Sequence, residues 1–488
     1  MTVEQYDGVL VDGTWRRGGG PTIEVVDPAT EQVFAQVGSG SLGDVDDAVA
    51  SAVRAQQEWS SVPLADRVAV VRRIGELIAE RAPELARVRS RSMGAPYASS
   101  LALSNSAGLI AMYVDTIAQV QFEQVRRDAY GDSLVVRRPV GVVAGIVPWN
   151  VPVRNELKKT IPSILTGCSV VLKPSPESPV AGALLMEVFR DAGLPDGVCN
   201  LVVGGADVGE ALVQHPGVQK VAFTGSTATG ARIAELAAPR LKRLQLELGG
   251  KSAAIVLPDA DLDLVGRSLQ AFGFGNTGQI CASLTRVLAP TDRYDDVVAA
   301  LVAAAGRHVV GDPQDPATTM GPLVSSRQRD KVLGLVRGAV DQGAVIACGG
   351  GVPSALPTGW YVEPTVLRDV TSGMTIAQEE VFGPVVVVIP YVDEDDAVRI
   401  ANDSAYGLHG AVFSADDAHA LEVARRIETG TAAVNSFDIP VSAPFGGVKG
   451  SGVGRENGVE GYDSFLDYHS YKLTPALAER LAAEAGRD

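Results

Sequence analysis

Gly141-Val142-Val-Ala-Gly-Ile-Val147-Pro148-Trp149-Asn150 is the stretch on which the fold turns. Residues 142–147 offer apolar side chains to both faces of a strand, with a glycine before them and a proline after. A run this short, without alternation, fits a strand covered on both sides. Working outward, residues 154–165 carry a helical pattern, and the alternation then repeats. Strands are expected at 169–172, 198–203, 220–223 and 244–246, and helices at 180–192, 208–214 and 228–238. Strands alternating with helices make a parallel, doubly wound α/β sheet. In such a sheet ligands sit beyond the carboxyl ends of the strands. The segments there are Pro148-Trp149-Asn150, Lys173-Pro174-Ser175, Thr224-Gly225-Ser226 and Glu247-Leu248-Gly249-Gly250.

Both flanks add structure of their own. Beyond Lys251 a second α/β pattern places strands at 253–257, 385–390, 411–413 and 431–434, with helices at 294–305, 328–342, 395–402 and 420–427. Before Gly141, short β pieces at 9–11 and 22–26 give way to helices at 64–80 and 103–121. Residues 130–139 read as a strand ending at a proline, and 464–473 as another, with a short alanine-rich helix after it. Exposed strand edges invite pairing across subunits. No internal repeat or low-complexity tract interrupts the chain.

The 488 residues suffice for two or three domains with sizeable cores, and 46% hydrophobic against 20% charged content fits a folded globular protein. A formal net charge of −16 argues against nucleic acid or an anionic membrane as a general partner. Four cysteines, none in a CxxC pair, point to free thiols in a reducing compartment. No basic-then-apolar leader is visible, and the longest apolar run, 297–305, is too short to cross a bilayer. A cytoplasmic protein without membrane or nucleic-acid partners is expected.

The chemistry concentrates in Gly273-Phe-Gly275-Asn276-Thr-Gly278-Gln279-Ile280-Cys281-Ala282-Ser283. One cysteine stands behind glycines that let the backbone turn tightly and a substrate approach. A thiol attacks only as thiolate, so it needs a base or oriented donors nearby. The glycine spacing also matches a dinucleotide fingerprint, but that motif must follow a strand. Residues 261–272, with Leu262, Val265, Leu269 and Phe272 on one face, read as a helix, so the match is discounted. Cys168, Cys199 and Cys348 read as small buried hydrophobes.

Six motifs occur in order: Pro148-Trp149-Asn150, Phe223-Thr-Gly225-Ser226, Glu247-Leu-Gly249-Gly250, Gly278-Gln-Ile-Cys281, Glu380-Val-Phe382-Gly-Pro384 and Pro444-Phe445-Gly-Gly447. With 34 residues from Glu247 to Cys281 (281 − 247), the chain resembles the NAD(P)-dependent aldehyde dehydrogenase superfamily up to about Lys472. The resemblance implies a Rossmann-type parallel-sheet cofactor domain (1–122 and 141–249), an α/β catalytic domain (250–463) and a β oligomerisation arm (123–140 and 464–488). A homodimer or homotetramer follows from the same likeness.

The resemblance also implies roles. Cys281 becomes the nucleophile, Asn150 with the Cys281 N–H the oxyanion donors, Glu247 the base that activates water, and Lys159 a lysine near the cysteine. Val147, Pro148, Trp149, Phe223, Thr224, Leu248, Gly249 and Gly205 surround the cofactor, and Ser175 flanks it. Lys173 meets the adenosine ribose, Gly225 and Ser226 the pyrophosphate at a helix N-terminus, and Glu380 and Phe382 the nicotinamide ribose. The implied reaction is aldehyde, NAD(P)⁺ and water to carboxylic acid and NAD(P)H, through a thiohemiacetal and a thioester. Branches that pass the acyl group to coenzyme A lack the glutamate, so Glu247 favours hydrolysis. Acyl transfer to coenzyme A and a non-catalytic binding protein on the same fold are the alternatives. Two departures stand out. Pro176 occupies a position where NAD-preferring members often carry glutamate, with Glu177 one residue on, which leaves NADP open beside NAD. The segment after Asn150 is unusually polar, so Asn155 and Lys158 join Ile280, Ala282, Phe437, Ile439 and Phe445 as the expected substrate lining.

Overall fold

The structure, a computed structural model, describes residues 3–485. Val142–Ile146 lies in the interior of the first sheet. Ser169–Lys173 and Cys199–Val202 add on one side, Lys220–Thr224 and Arg243–Glu247 on the other, all parallel. The direction of winding therefore reverses beside Val142–Ile146, and the crevice at that reversal is where such sheets take ligands. Helices Arg154–Thr166, Pro179–Asp191, Ala206–Gln214 and Thr227–Ala237 connect the strands. Every residue of Val142–Ile146 and Ser169–Lys173 is buried. That two-sided cover is why the sequence shows runs and not alternation.

Antiparallel strands close the two edges: Val9–Val11 and Thr14–Arg16 at one, Gly452–Val453 at the other. The last pairing crosses the boundary expected between 249 and 250. A segment assigned to the catalytic domain covers the open edge of Arg243–Glu247, and Tyr462 and Phe465 join the first core.

The second sheet runs Val345–Cys348, Thr365–Arg368, Val385–Tyr391, Leu284–Pro290, Ser252–Val256, His409–Phe413 and Thr431–Val434, with only the first strand antiparallel. Alternate residues feed opposite cores: Ile255, Leu288 and Val387 one, Val256, Val287 and Val388 the other.

In the arm, Leu466–Lys472 pairs antiparallel with Gly131–Pro139, which pairs with Glu123–Asp128. The two distant strands thus meet within one chain. Glu123–Asp128 was not expected as a strand, because it is exposed and mostly charged and shows no apolar alternation. The helix expected at 103–121 is two, Tyr97–Ser104 and Ala107–Ile117, because Asn105 leaves the helical conformation. The one expected at 64–80 continues to Met93, where Gly94 turns left-handed (φ 75). The tail is helical over Pro475–Ala485, and the expectation for 486–488 lies outside the described residues. No described helix is long and apolar enough to cross a membrane.

Candidate active site

The cysteine loop follows the helix Leu262–Phe272, so its glycines do not leave a strand. Asn276 (φ 53), Thr277 (φ 57) and Gly278 (φ 70) are all left-handed. At 278 only glycine fits, because a side-chain carbon would lie 2.0 Å from the Gly383 carbonyl oxygen. Hydrogen bonds hold this costly backbone in place. The Asn276 amide donates to the Asn150 carbonyl (3.0 Å), and its oxygen accepts from the buried Arg89 (2.6 Å). The Thr277 hydroxyl donates to the Gly321 carbonyl (3.2 Å), and Gln279 Oε1 accepts from the Val324 N–H (3.1 Å).

Asn150 follows the central strand and is tied to the same loop. One amide hydrogen goes to the Gln279 carbonyl (2.9 Å), while its oxygen accepts from Asn155 (3.1 Å). The second amide hydrogen is left over. The Cys281 N–H likewise finds no acceptor among the described residues.

These groups border a cleft of ≈ 420 Å³ that Cys281, Glu247 and Asn150 line together. Of the residues expected around a cofactor, Pro148, Trp149, Thr224, Gly225, Ser226, Leu248, Glu380 and Phe382 line it too. From the expected substrate set come Asn155, Lys158, Ile280, Ala282, Ile439 and Phe445. The remaining expected residues fall elsewhere. Val147 and Phe223 are packed in the cores of the first sheet. Gly249 backs the Glu380 carboxylate, where a side-chain carbon would approach to 2.7 Å. Lys173 ends the neighbouring strand, with Ser175 just beyond it, and Gly205 begins the next helix; none of the three lines this cleft. Phe437 does not line it either: its ring stacks on Phe272, which does (centroids 5.6 Å apart). Lys159 is wholly buried behind the wall.

Burial dominates the electrostatics. Glu247 is 3% exposed and neither carboxylate oxygen has a hydrogen-bond partner among the described residues. Its pKa is pushed well up, first by burial and then by the charge of Glu456. Glu456 is equally buried, but Lys159 bonds one of its oxygens and Lys158 the other (3.1 Å). Burial pushes the Glu456 carboxyl up; the two ammonium groups outweigh it and hold the group below the usual carboxylate range. Half-buried Cys281 has its thiol pushed up to about 12 by burial, with Glu380, Glu247 and Glu456 adding and Lys158 opposing. The thiol therefore rests protonated and needs an acceptor, and Glu247 is a carboxylate with raised proton affinity in the same cleft.

A dinucleotide fits the residues at the strand ends. Ser226 caps the helix Thr227–Ala237 with its side chain on the Thr229 N–H, and the N–H groups of Thr227 and Ala228 keep no acceptor among the described residues. At Gly225 a side-chain carbon would lie 2.3 Å from the Phe223 ring, so only glycine leaves the backbone open there. Lys173, lowered to about 8 by burial against the opposing charges of Glu177 and Asp207, has only the Pro174 carbonyl as hydrogen-bond partner among the described residues (3.2 Å). Trp149 and Phe382 meet edge to face at 5.4 Å, and Glu380 accepts from the Gly250 N–H (3.1 Å).

Sequence reasoning missed Glu456 and Arg154. Arg154 has a signal: Val151, Arg154, Asn155 and Lys158 recur at helical spacing and all line the cleft. Glu456 has none beyond the fact that a buried Lys159 requires a counter-ion.

An open parallel sheet whose switch point faces a cysteine-bearing cleft, with a second α/β unit beyond it, places the fold in the α/β class. Comparison with known proteins narrows this. The model of the aldehyde dehydrogenase family matches residues 15–471. The chain is 42% identical to geranial dehydrogenase of Castellaniella defragrans, over 97% of this chain and all of that one. It is 39% identical to a 3-succinoylsemialdehyde-pyridine dehydrogenase of a Pseudomonas species, over 95% and 98%. An aldehyde dehydrogenase of Mycobacterium tuberculosis solved with NAD⁺ superposes with a TM-score of 0.94 at 40% identity, over 97% and 99% of the two chains. A variant of aldehyde dehydrogenase C of Pseudomonas syringae, solved with NAD⁺ and octanal, gives 0.93 at 41%, over 96% and 97%. This chain belongs to the aldehyde dehydrogenase family.

Proposed function

We propose that the protein oxidises an aldehyde to the carboxylic acid, with NAD⁺ as the oxidant and water as the source of the second oxygen. The observation that carries this reading is the unpartnered Glu247 carboxylate in the same cleft as the Cys281 thiol. The thiol proton passes to Glu247, and sulfur bonds the carbonyl carbon. The carbonyl electron pair moves to oxygen, where the spare Asn150 amide hydrogen and the Cys281 N–H stabilise it; one such donor is typically worth ~10²–10³ in rate. NAD⁺, when bound, supplies the acceptor for the hydride that leaves this carbon. What stays on sulfur is a thioester. Glu247 gives the thiol proton up to solvent and then takes one from water; the hydroxide bonds the acyl carbon, the carbon–sulfur bond breaks, and the proton on Glu247 passes to the sulfur, releasing the acid and returning the thiol. Lys159 holds Glu456, whose charge raises the proton affinity of Glu247, and its own charge lowers it.

Relatives solved with NAD⁺ support that cofactor. The groups that would hold it are Lys173 and the first turn after Ser226 for the phosphate and adenosine parts, and Trp149, Glu380 and Phe382 for the nicotinamide end. Glu177 accepts from the Ser175 hydroxyl and its charge reaches Lys173, so it opposes a 2′-phosphate and favours NAD⁺ over NADP⁺. The arm exposes Tyr468 and Tyr471 on a three-stranded sheet, which suits pairing with a second copy in a homodimer or homotetramer. Four unbridged cysteines suit a cytoplasmic location. The test is an aldehyde panel with NAD⁺ and NADP⁺. Reduced cofactor and free acid in equal amounts are expected, lost in Cys281→Ala; acyl-CoA formed in place of acid refutes the hydrolytic reading.

A further inference from the structure

Among the described residues, one cation in the cleft has no partner. On the cleft-facing side of the helix Arg154–Thr166, Asn155 is bonded to Asn150 (3.1 Å) and Lys158 to Glu456 (3.1 Å). The Arg154 guanidinium, one turn before Lys158, donates no hydrogen bond and meets no carboxylate among the described residues. The charge that Arg154 meets is that of Tyr113, whose hydroxyl is already bonded to Asn457 Oδ1 (3.0 Å). Burial lowers the proton affinity of Arg154, as expected of a cation drawn partly out of water without a counter-ion. Arg154, Lys158 and Lys331 line the cleft against Glu247, Glu380 and Glu456; Lys158 is bonded to Glu456 and Lys331 to the Glu380 carbonyl, which leaves Arg154 as the cation open to a ligand anion among the described residues. Apolar Leu103, Ile439 and Val441 border the same cleft.

We propose that the substrate is an aldehyde that also carries a carboxylate, held by Arg154 while its aldehyde end meets Cys281. The planar guanidinium fork matches a carboxylate with two parallel N–H bonds. The apolar residues take the carbon chain between the two ends. This deepens the function proposed above and rests on it.

The test compares straight-chain aldehydes ending in a carboxylate with alkanals of matched length, in wild type, Arg154→Leu and Arg154→Glu. Wild type should favour the carboxylate by roughly 10- to 100-fold in kcat/KM, mainly through KM, as one charge-assisted contact provides. Arg154→Leu should erase that ratio, and Arg154→Glu should turn it in favour of the alkanal. Equal kcat/KM for matched pairs in wild type, or a ratio that survives Arg154→Leu, overturns the proposal. Calorimetry with the product-like dicarboxylates reads the contact without turnover: binding weakened in Arg154→Leu supports it, and equal binding overturns it. Absence of NADH with every aldehyde, beside intact dicarboxylate binding at Arg154, would instead count against the activity.

Discussion

Glu456→Gln keeps the shape of the buried ion pair and removes its one negative charge. Glu456 is 2% exposed and Lys159 not at all. Lys158 is part-exposed and can turn to water; Lys159 cannot. Stripping one partner from a buried pair costs about 3–5 kcal/mol. With one of the two lysines able to relax, the lower end, about 3 kcal/mol, is expected near neutral pH. The sign with pH follows from the direction of the shift. The folded state holds the Glu456 carboxyl below its ordinary range, so its contribution is complete above the unfolded value and fades as pH falls through the folded one. The gap between wild type and variant should therefore close in acid. Activity gives a second reading. The charge of Glu456 is the second cause, after burial, of the raised Glu247 pKa. Removing it, and freeing two ammonium groups nearby, lowers that pKa. The acid limb of kcat, where Glu247 becomes protonated, should move to lower pH. Urea unfolding at several pH values and kcat against pH measure the two effects. Unchanged stability with an unmoved limb, or a limb displaced to higher pH, refutes the coupling.

Gly278→Ala should distort the cysteine loop, since the added carbon would sit 2.0 Å from the Gly383 carbonyl oxygen at a φ of 70°. A left-handed alanine alone costs about 1–2 kcal/mol, and a displaced thiol should lower kcat by ~10²-fold or more while calorimetric NAD⁺ affinity stays nearly constant; activity close to wild type contradicts this. Lys251 is fully buried with no hydrogen-bond partner among the described residues, and burial, with Arg286 adding, brings it down to about 7. Between there and the ordinary lysine value the unfolded chain binds the extra proton, so stability should rise with pH by at most ~1.4 kcal/mol per unit, and Lys251→Met should flatten the rise in urea titrations across that window.

What the sequence disclosed follows from how each element is stabilised. The parallel strands of the first sheet were legible because two-sided burial leaves no room for polar residues, as in Ser169–Lys173. Leu284–Pro290 is as fully buried yet was overlooked, because Arg286 sits in its middle. Its guanidinium donates to the carbonyls of Lys251 (2.9 Å), Ile400 (3.0 Å) and Ala401 (2.8 Å), contacts that no local pattern announces. Gly452–Val453 was hidden for another reason: two residues suffice to cover a sheet edge, and their partner strand lies some two hundred positions away in sequence. At the site, Cys281, Asn150 and Glu247 were readable because each belongs to a motif with fixed spacing. Glu456 was not, since its place depends on Lys159 reaching it across the fold. Phe437 was read as lining because aromatic character alone does not separate a wall from the layer behind it.

In the proposed reaction Cys281 holds the acyl group and Glu247 releases it. Rapid mixing of Glu247→Gln with NAD⁺ and an aldehyde substrate, quenched in acid and followed by mass spectrometry of the Cys281 peptide, tests this most directly. The expected result is about one NADH per site in a fast phase, then slow turnover, with the acyl mass on Cys281. Steady production at the wild-type rate, or a burst that leaves no added mass on that peptide, would contradict it.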